Sequence, residues 1–155
     1  MAHTGFPLGS QFVAQATDVK RVLIADDNKL VRRMLRLVLA RMPDVAVCAE
    51  TADGRSTVDT ARELRPDVLI LDVRMPELNG IEVASILRKE LPQAKTLLFT
   101  MYSDHVGPNI ASASGVDIVL PKVEGAAALV GAINELIRGD SLSDDSLPDV
   151  EPARG

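Results

Sequence analysis

Residues 22–27 read Val22-Leu23-Ile24-Ala25-Asp26-Asp27 and give the strongest indication of the fold, because an unbroken apolar run there stops at two carboxylates. A segment that is apolar at every position suits a β-strand covered on both faces, as in a parallel sheet. The arrangement returns at residues 68–72, where Val-Leu-Ile-Leu is followed by Asp72. Two such strands predict a parallel sheet with acidic residues at the carboxyl ends of its strands.

On both sides of these two strands, segments that are predicted to be strands and helices alternate along the chain. Three further strands are predicted at 45–49, 96–99 and 116–120. Helices are predicted at 29–42, 54–64, 81–91, 103–114 and 124–138. Gly107-Pro108 should shorten or distort the fourth helix, and Gly139 should end the fifth. The alternation predicts an α/β fold with right-handed crossovers and helices on both sheet faces.

The two ends of the chain differ in composition from its middle. Residues 1–19 mix small and polar residues without periodicity, so we predict a flexible leader there. Residues 20–139 form the predicted folded domain. Residues 140–155 are rich in Ser, Asp and Pro and are predicted to be an acidic, disordered tail or linker. A chain of 155 residues is therefore expected to hold one domain.

Composition excludes several classes of function. The net charge is −5, aromatic residues make up 3% and Trp is absent, so direct nucleic-acid binding by this chain is not expected. Cys48 is the single cysteine, which excludes a disulfide framework and favours a buried structural thiol. The sequence contains neither an apolar span of about 20 residues nor a signal peptide. We therefore expect a cytoplasmic protein without a membrane partner.

The polar residues that could carry chemistry follow predicted strands. Asp26 and Asp27 follow the first strand, Asp72 the third, Thr100 the fourth and Lys122 the fifth. The second strand ends without such a residue, which fits a sheet edge. Carboxylates gathered in one small site repel unless a cation neutralises them, and an all-oxygen ligand set suits Mg²⁺. A magnesium-bound phosphoryl donor beside a carboxylate nucleophile indicates phosphoryl transfer to aspartate.

Taken singly, these residues have plainer interpretations. Asp26 and Asp27 could cap a helix, and Asp72 could begin a turn. Thr100 could end a strand or cap a helix, and Lys122 could be a solvated surface lysine. Their shared register after separate strands favours one joint site.

Several motifs together resemble the receiver domain of bacterial response regulators. They are Val-Leu-Ile-Ala-Asp-Asp at 22–27, Leu-Asp-Val-Arg-Met-Pro-Glu-Leu-Asn-Gly at 71–80, Phe-Thr at 99–100, and Lys122. The resemblance covers residues 20–139. It is greatest to receivers that usually carry a LuxR-type helix-turn-helix, here without the DNA-binding domain.

The resemblance implies a fold and a ligand set. The fold is a flavodoxin-like, doubly wound, five-stranded parallel sheet of order 2-1-3-4-5 with five helices. Asp72 becomes the phosphoacceptor. Mg²⁺ would be held directly by Asp27, Asp72 and the backbone carbonyl of Arg74, and through water by Asp26.

The resemblance also implies that Thr100 and Lys122 would contact the phosphoryl group and transmit its arrival.

Two positions depart from the usual receiver pattern. Many receivers carry an aromatic ring three positions before the lysine. This chain has Val119 there, so the usual movement of that ring is absent. Tyr102 lies nearby in the sequence and is the candidate to replace it. Pro121 precedes the lysine instead of following it, which is tolerable if that strand lies at a sheet edge.

The implied function is a phosphorylation switch in a two-component phosphorelay rather than a classical enzyme. Only Mg²⁺-dependent self-phosphorylation from a phosphodonor and slow self-dephosphorylation are expected. The donor would be a histidine kinase or phosphotransfer protein. The output would be a changed face, built from the fourth helix, fifth strand and fifth helix, that binds a downstream protein or a second copy of the chain.

Three alternatives remain open at this point. The chain could be the receiver fragment of a LuxR-type transcriptional regulator, or a receiver-like scaffold that works without phosphate. A Mg²⁺-dependent aspartyl-phosphate phosphatase would need a second carboxylate two residues after the nucleophile. That position holds Lys29 after Asp27 and Arg74 after Asp72, which argues against the phosphatase.

Overall fold

The computed structural model describes residues 19–142, in which strands and helices alternate. The strands are β1 Lys20–Ala25, β2 Val45–Thr51, β3 Val68–Leu71, β4 Lys95–Thr100 and β5 Ile118–Pro121. The helices are α1 Lys29–Leu39, α2 Gly54–Leu64, α3 Gly80–Glu90, α4 Pro108–Ala113 and α5 Gly125–Leu142. Short 3₁₀ turns cover Ser103–His105 and Lys122–Glu124. The predictions for 1–18 and 143–155 lie outside the described residues.

The five strands form one parallel sheet in the order β2-β1-β3-β4-β5. This confirms the predicted doubly wound fold and strand order. The second strand, for which no candidate site residue was predicted, lies at one edge of the sheet as expected. The fifth lies at the other, where Pro121 pairs with Thr100 and its missing N–H interrupts no outer ladder.

The sheet has a hydrophobic core on each face, which explains why its central strands are apolar at every position. Val22 and Ile24 of β1 pack with α1 and α5, whereas Leu23 and Ala25 pack with α2 and α3. Successive strand residues point to opposite faces, so both sets must be apolar. Truncating one of these large, fully buried side chains to alanine would cost about 2–5 kcal/mol.

The fourth helical segment is short, as Gly107-Pro108 predicted. A 3₁₀ turn covers Ser103–His105, and the chain becomes α-helical only at Pro108, whose fixed φ suits the first helical turn. None of the residues of α4 is buried. This helix is therefore weakly anchored to the sheet.

Three local predictions were wrong. Gly139 does not end the last helix, which continues to Leu142 and so takes in the first residues of the predicted tail. A glycine inside a helix costs only about 1 kcal/mol relative to alanine, so it does not by itself stop one. The first helix ends at Leu39, before the predicted residue 42. Cys48 is half-buried rather than buried, because β2 is an edge strand.

Across residues 19–142, no helix combines the length and apolar character that crossing a bilayer would require.

Candidate metal and phosphoacceptor site

Four of the predicted site residues meet at the carboxyl ends of the strands. Carboxylate oxygens of Asp26, Asp27 and Asp72 lie within 4.8 Å of one another. The ammonium of Lys122 lies 2.8 Å from Oδ2 of Asp26 and 3.1 Å from Oδ2 of Asp72. Asp26 and Asp72 are buried, whereas Asp27 is exposed. The parallel sheet thus brings together side chains that are far apart in the sequence.

The main chain fixes the position of Asp26. Its N–H donates to the carbonyl of Thr51 at 3.1 Å, and its Oδ1 accepts from the N–H of Asn28 at 2.8 Å. Asn28, not either aspartate, caps α1, since its side chain accepts from the N–H groups of Leu30 and Val31. The alternative interpretation of Asp26 and Asp27 as helix caps is therefore wrong.

Hydrogen bonds also fix the position of Asp72 and of the loop that follows it. Its N–H donates to the carbonyl of Ala25 at 2.9 Å, and its Oδ1 accepts from the N–H of Val73 at 2.7 Å. The loop is closed by the N–H of Gly80, the first residue of α3, which donates to the carbonyl of Val73 at 2.8 Å. A Cβ at Gly80 would lie 2.0 Å from the carbonyl oxygen of Asp72, so only glycine permits this approach.

Burial and charge act in opposite directions on the ionisable groups of the site. Burial raises the pKa of Asp26, and the nearby Asp72 adds to that effect, while the contacts with Lys122 and the Asn28 N–H only partly offset it. Burial alone would lower the pKa of Lys122, but its contacts with Asp26 and Asp72 outweigh burial and raise it. The lysine is therefore charged at neutral pH, and the interpretation of Lys122 as a solvated surface residue is wrong.

The residues present fit a magnesium ion. One ammonium stands against three carboxyl groups, which leaves an excess of negative charge around closely spaced oxygens. Mg²⁺ prefers such hard oxygen ligands and keeps several waters. A cleft of about 410 Å³ beside the cluster gives access from solvent. It is lined by Asp27, Val73, Arg74, Met75, Pro76 and Asn79. The backbone-carbonyl ligand at Arg74 stays a prediction.

Thr100 lies at the end of β4 and is fully buried. Its Oγ1 accepts a hydrogen bond from the N–H of Tyr102 at 3.0 Å, so the hydroxyl proton is available to a different acceptor. The guanidinium carbon of Arg74 lies 4.8 Å from the centre of the Tyr102 ring. Tyr102 thus connects the loop after β4 with the loop that follows the predicted phosphoacceptor. Val119 is half-buried on β5 and offers no ring.

One residue near the site was not predicted. Arg32 is one of several basic residues of α1, and its Nη1 donates to the carbonyl oxygen of Asp26 at 2.8 Å. Its position one helical turn after the N-cap, Asn28, is the signal that could have indicated this contact, because side chains four residues apart share a helix face.

Comparison with known proteins gives the same assignment as the geometry. The family model of the response regulator receiver domain matches residues 22–134. The response regulator protein VraR of Staphylococcus aureus is 31% identical over 122 residues, which cover 79% of this chain and 58% of that protein. The chain therefore spans little more than half the length of such relatives.

Solved structures share the fold. A LuxR-family two-component response regulator from Aurantimonas sp. SI85-9A1 superposes with a TM-score of 0.72 at 32% identity, over 78% of this chain and 86% of that one. The response regulator domain of Thermotoga maritima CheB superposes with a TM-score of 0.70 at 27% identity, over 77% and 97%. The family match across residues 22–134, on this strand order and with the acidic cluster assembled, makes the chain a member of the response regulator receiver domain family of two-component systems.

Proposed function

We propose that the chain is a phosphoryl-accepting switch, phosphorylated on Asp72 in a Mg²⁺-dependent reaction. The observation that carries the proposal is the group of three carboxylates within 4.8 Å, with the Lys122 ammonium in contact with two of them. A purely structural ion pair would need one carboxylate for one ammonium. The additional acidic groups leave negative charge that a bound metal cation would neutralise.

The reaction forms one bond and breaks one. A carboxylate oxygen of Asp72 attacks the phosphorus of a donor, and the bond between phosphorus and the leaving atom breaks with its electron pair on the donor. The product is an acyl phosphate, which water later hydrolyses. Asp27, Asp72 and the Arg74 carbonyl would hold Mg²⁺ directly and Asp26 would hold it through water, and the bound ion would neutralise charge on the phosphoryl oxygens. The chain acts on itself and is not a classical enzyme.

Two residues can transmit the arrival of the phosphoryl group on Asp72 to the rest of the domain. Lys122 already touches Asp72, so it can exchange a carboxylate oxygen for a phosphoryl oxygen with little movement. Thr100 can donate its hydroxyl proton to another phosphoryl oxygen while still accepting from Tyr102. A shift of Thr100 would then displace the loop that leads into α4.

The proposed output is the face built from α4, β5 and α5. Exposed apolar side chains lie on or beside it at Met101, Ile110 and Val123, and α4 has no buried residue to hold it in place. Small contact changes can therefore bias such a region between two arrangements. The partners we propose are a cytoplasmic histidine kinase or phosphotransfer protein as donor, a downstream protein, and a second copy of the chain; direct nucleic-acid binding is not proposed.

Intact mass measured after incubation with Mg²⁺ and acetyl phosphate tests the proposal. A labile adduct of one phosphoryl group is expected on the wild-type chain and not on Asp72→Asn, and chelation of Mg²⁺ should prevent it. A folded wild-type protein that gains no adduct would instead favour a phosphate-independent scaffold.

A second candidate is the receiver portion of a LuxR-type transcriptional regulator. The observation that favours it is coverage: the chain spans only 58% of VraR. The length of the native reading frame decides between the two. Both candidates share the chemistry at Asp72, so the mass experiment applies to either.

A further inference from the structure

Arg32 contacts the main chain of the acidic loop rather than its carboxylates. Its Nη1 donates to the carbonyl oxygen of Asp26 at 2.8 Å. Its Nε lies 3.7 Å from Oε1 of Glu50 on β2, and Glu50 is also bound by Arg36 at 2.6 Å. The Arg32 side chain is only 19% exposed, so the guanidinium is held between the helix, the loop and the edge strand.

This contact completes the anchoring of the two peptide units that flank the Cα of Asp26. The N–H of Asp26 is bound by Thr51, and its carbonyl is bound by Arg32. A peptide is planar, so fixing the Asp26 carbonyl also fixes the direction in which the chain continues into Asp27. Asp27 is exposed, yet a carboxylate oxygen of Asp27 lies within 4.8 Å of those of Asp26 and Asp72, so the course of the main chain helps to bring it into the cluster.

We propose that Arg32 is a positioning residue for the metal site, acting through the peptide between Asp26 and Asp27. The inference rests on the proposed function, since it assumes that the three carboxylates bind Mg²⁺. Arg32 does not touch the metal or the phosphoryl group. It holds the loop so that Asp27 and Asp26 present their oxygens together.

Charge and positioning predict opposite effects when Arg32 is removed. A guanidinium close to the cluster repels a cation, so on charge alone its loss would tighten Mg²⁺ binding. If Arg32 orients the loop, its loss weakens binding, because groups behind the ligands of a metal typically change affinity by about 10-fold or more. The sign of the change therefore separates the two explanations.

The experiment is a Mg²⁺ titration of the full chain at constant ionic strength, followed through the backbone amide signals of the acidic loop. Arg32→Gln should weaken binding about 10-fold. Arg33→Gln is the matched control, since it removes the same charge from the next residue, on the exposed side of α1. It should leave the affinity unchanged or slightly tighter, and Arg32→Lys should restore part of the affinity through its remaining donor.

A second control isolates the Asp26 contact from the ion pairs around Glu50. Arg36→Gln removes the shorter contact to Glu50 but leaves Arg32 in place, so it should bind Mg²⁺ like the wild type. Equal weakening by Arg36→Gln and Arg32→Gln would overturn the proposal in favour of Glu50. Affinity in Arg32→Gln equal to or above that of the wild type would also overturn it.

Amide hydrogen exchange without metal gives a readout that does not depend on Mg²⁺. The N–H of Asn28, bound to Oδ1 of Asp26, should exchange faster in Arg32→Gln, whereas the N–H of Val73, bound to Oδ1 of Asp72, should not. Unchanged exchange at Asn28 overturns the positioning role alone. Wild-type protein that shows no saturable Mg²⁺ binding overturns the metal site and the inference together.

Discussion

The two sides of the sheet differ in how firmly they are built. In β1 and β3, residues 22–25 and 68–71 are fully buried, and the loops that follow are tied by main-chain hydrogen bonds to their neighbours. Around α4 and β5, the helix has six residues, none of them buried, and every residue of the strand is only half-buried. The three carboxylates therefore lie on the rigid side of the sheet, and the proposed output face lies on the loose side.

This difference in burial and hydrogen bonding suits two requirements of one domain, a rigid site and a face that can rearrange. A site that gathers three carboxylates must hold them against their mutual repulsion, which requires a scaffold that does not yield. A face that changes in response to a small group must cost little to rearrange. The Thr100 hydroxyl, the Tyr102 main chain and the stacked Arg74 side chain lie between the two regions.

The sharpest test of this contrast compares two glycines. Gly80→Ala places a Cβ 2.0 Å from a backbone carbonyl and should lower the free energy of unfolding by about 3 kcal/mol or more. Gly107→Ala, just before α4, meets no atom within 4 Å and should change it by less than about 0.5 kcal/mol. Urea unfolding measures both. Similar losses in the two variants would break the contrast.

Removing the ammonium of Lys122 should have the next largest effect. Lys122→Gln leaves Asp26 and Asp72 buried without their cation, which should cost about 3 kcal/mol near neutral pH. Added Mg²⁺ should recover much of the loss, because it replaces the missing positive charge. Thermal unfolding with and without Mg²⁺ measures this, and a loss that Mg²⁺ does not reduce would contradict the proposed metal site.

Asp26→Asn should raise stability in the absence of metal. The pKa of Asp26 is raised in the folded state, so folding disfavours its charged form. The native state therefore loses stability as the pH rises from the ordinary aspartate range through the raised pKa, and the wild type carries that penalty at pH 7. The variant should have the higher melting temperature at pH 7, with the gain fading as the pH approaches 3. A lower melting temperature at pH 7 would contradict this pKa direction.

The smallest expected effect concerns the stack between Arg74 and Tyr102. Both side chains are exposed, so Arg74→Gln should cost only about 0.5–1 kcal/mol. The chain contains one Tyr and no Trp, so its intrinsic emission reports on this ring alone. Emission should change on phosphorylation of the wild type and change less in Arg74→Gln. Equal changes in emission in the wild type and in Arg74→Gln would show that the contact between Arg74 and Tyr102 plays no part in the switch.

Much of the architecture could be predicted from the sequence because the strongest signals were local. Apolar runs such as Val68–Leu71 require a strand covered on both faces, and the polar residues that end the strands then fall at one end of the sheet. The placement of Asp26, Asp27, Asp72 and Lys122 followed from that register alone.

The remaining features are ones that apolar runs and the ends of strands do not indicate. Arg32 looks like any other basic residue of α1 until its carbonyl partner is known. The stack of Arg74 on Tyr102 joins two loops that only the fold brings together. The extension of α5 past Gly139 reflects how small the helix penalty of one glycine is.

The ammonium of Lys122 reaches the acidic cluster from a position 50 residues beyond Asp72. During synthesis, all three carboxylates leave the ribosome well before their lysine does. An unfinished chain therefore carries the acidic residues without the counterion that the completed sheet provides. Only after β5 is added can Lys122 reach the cluster and offset part of its negative charge, so the order of translation delays the mature arrangement until the domain is nearly whole.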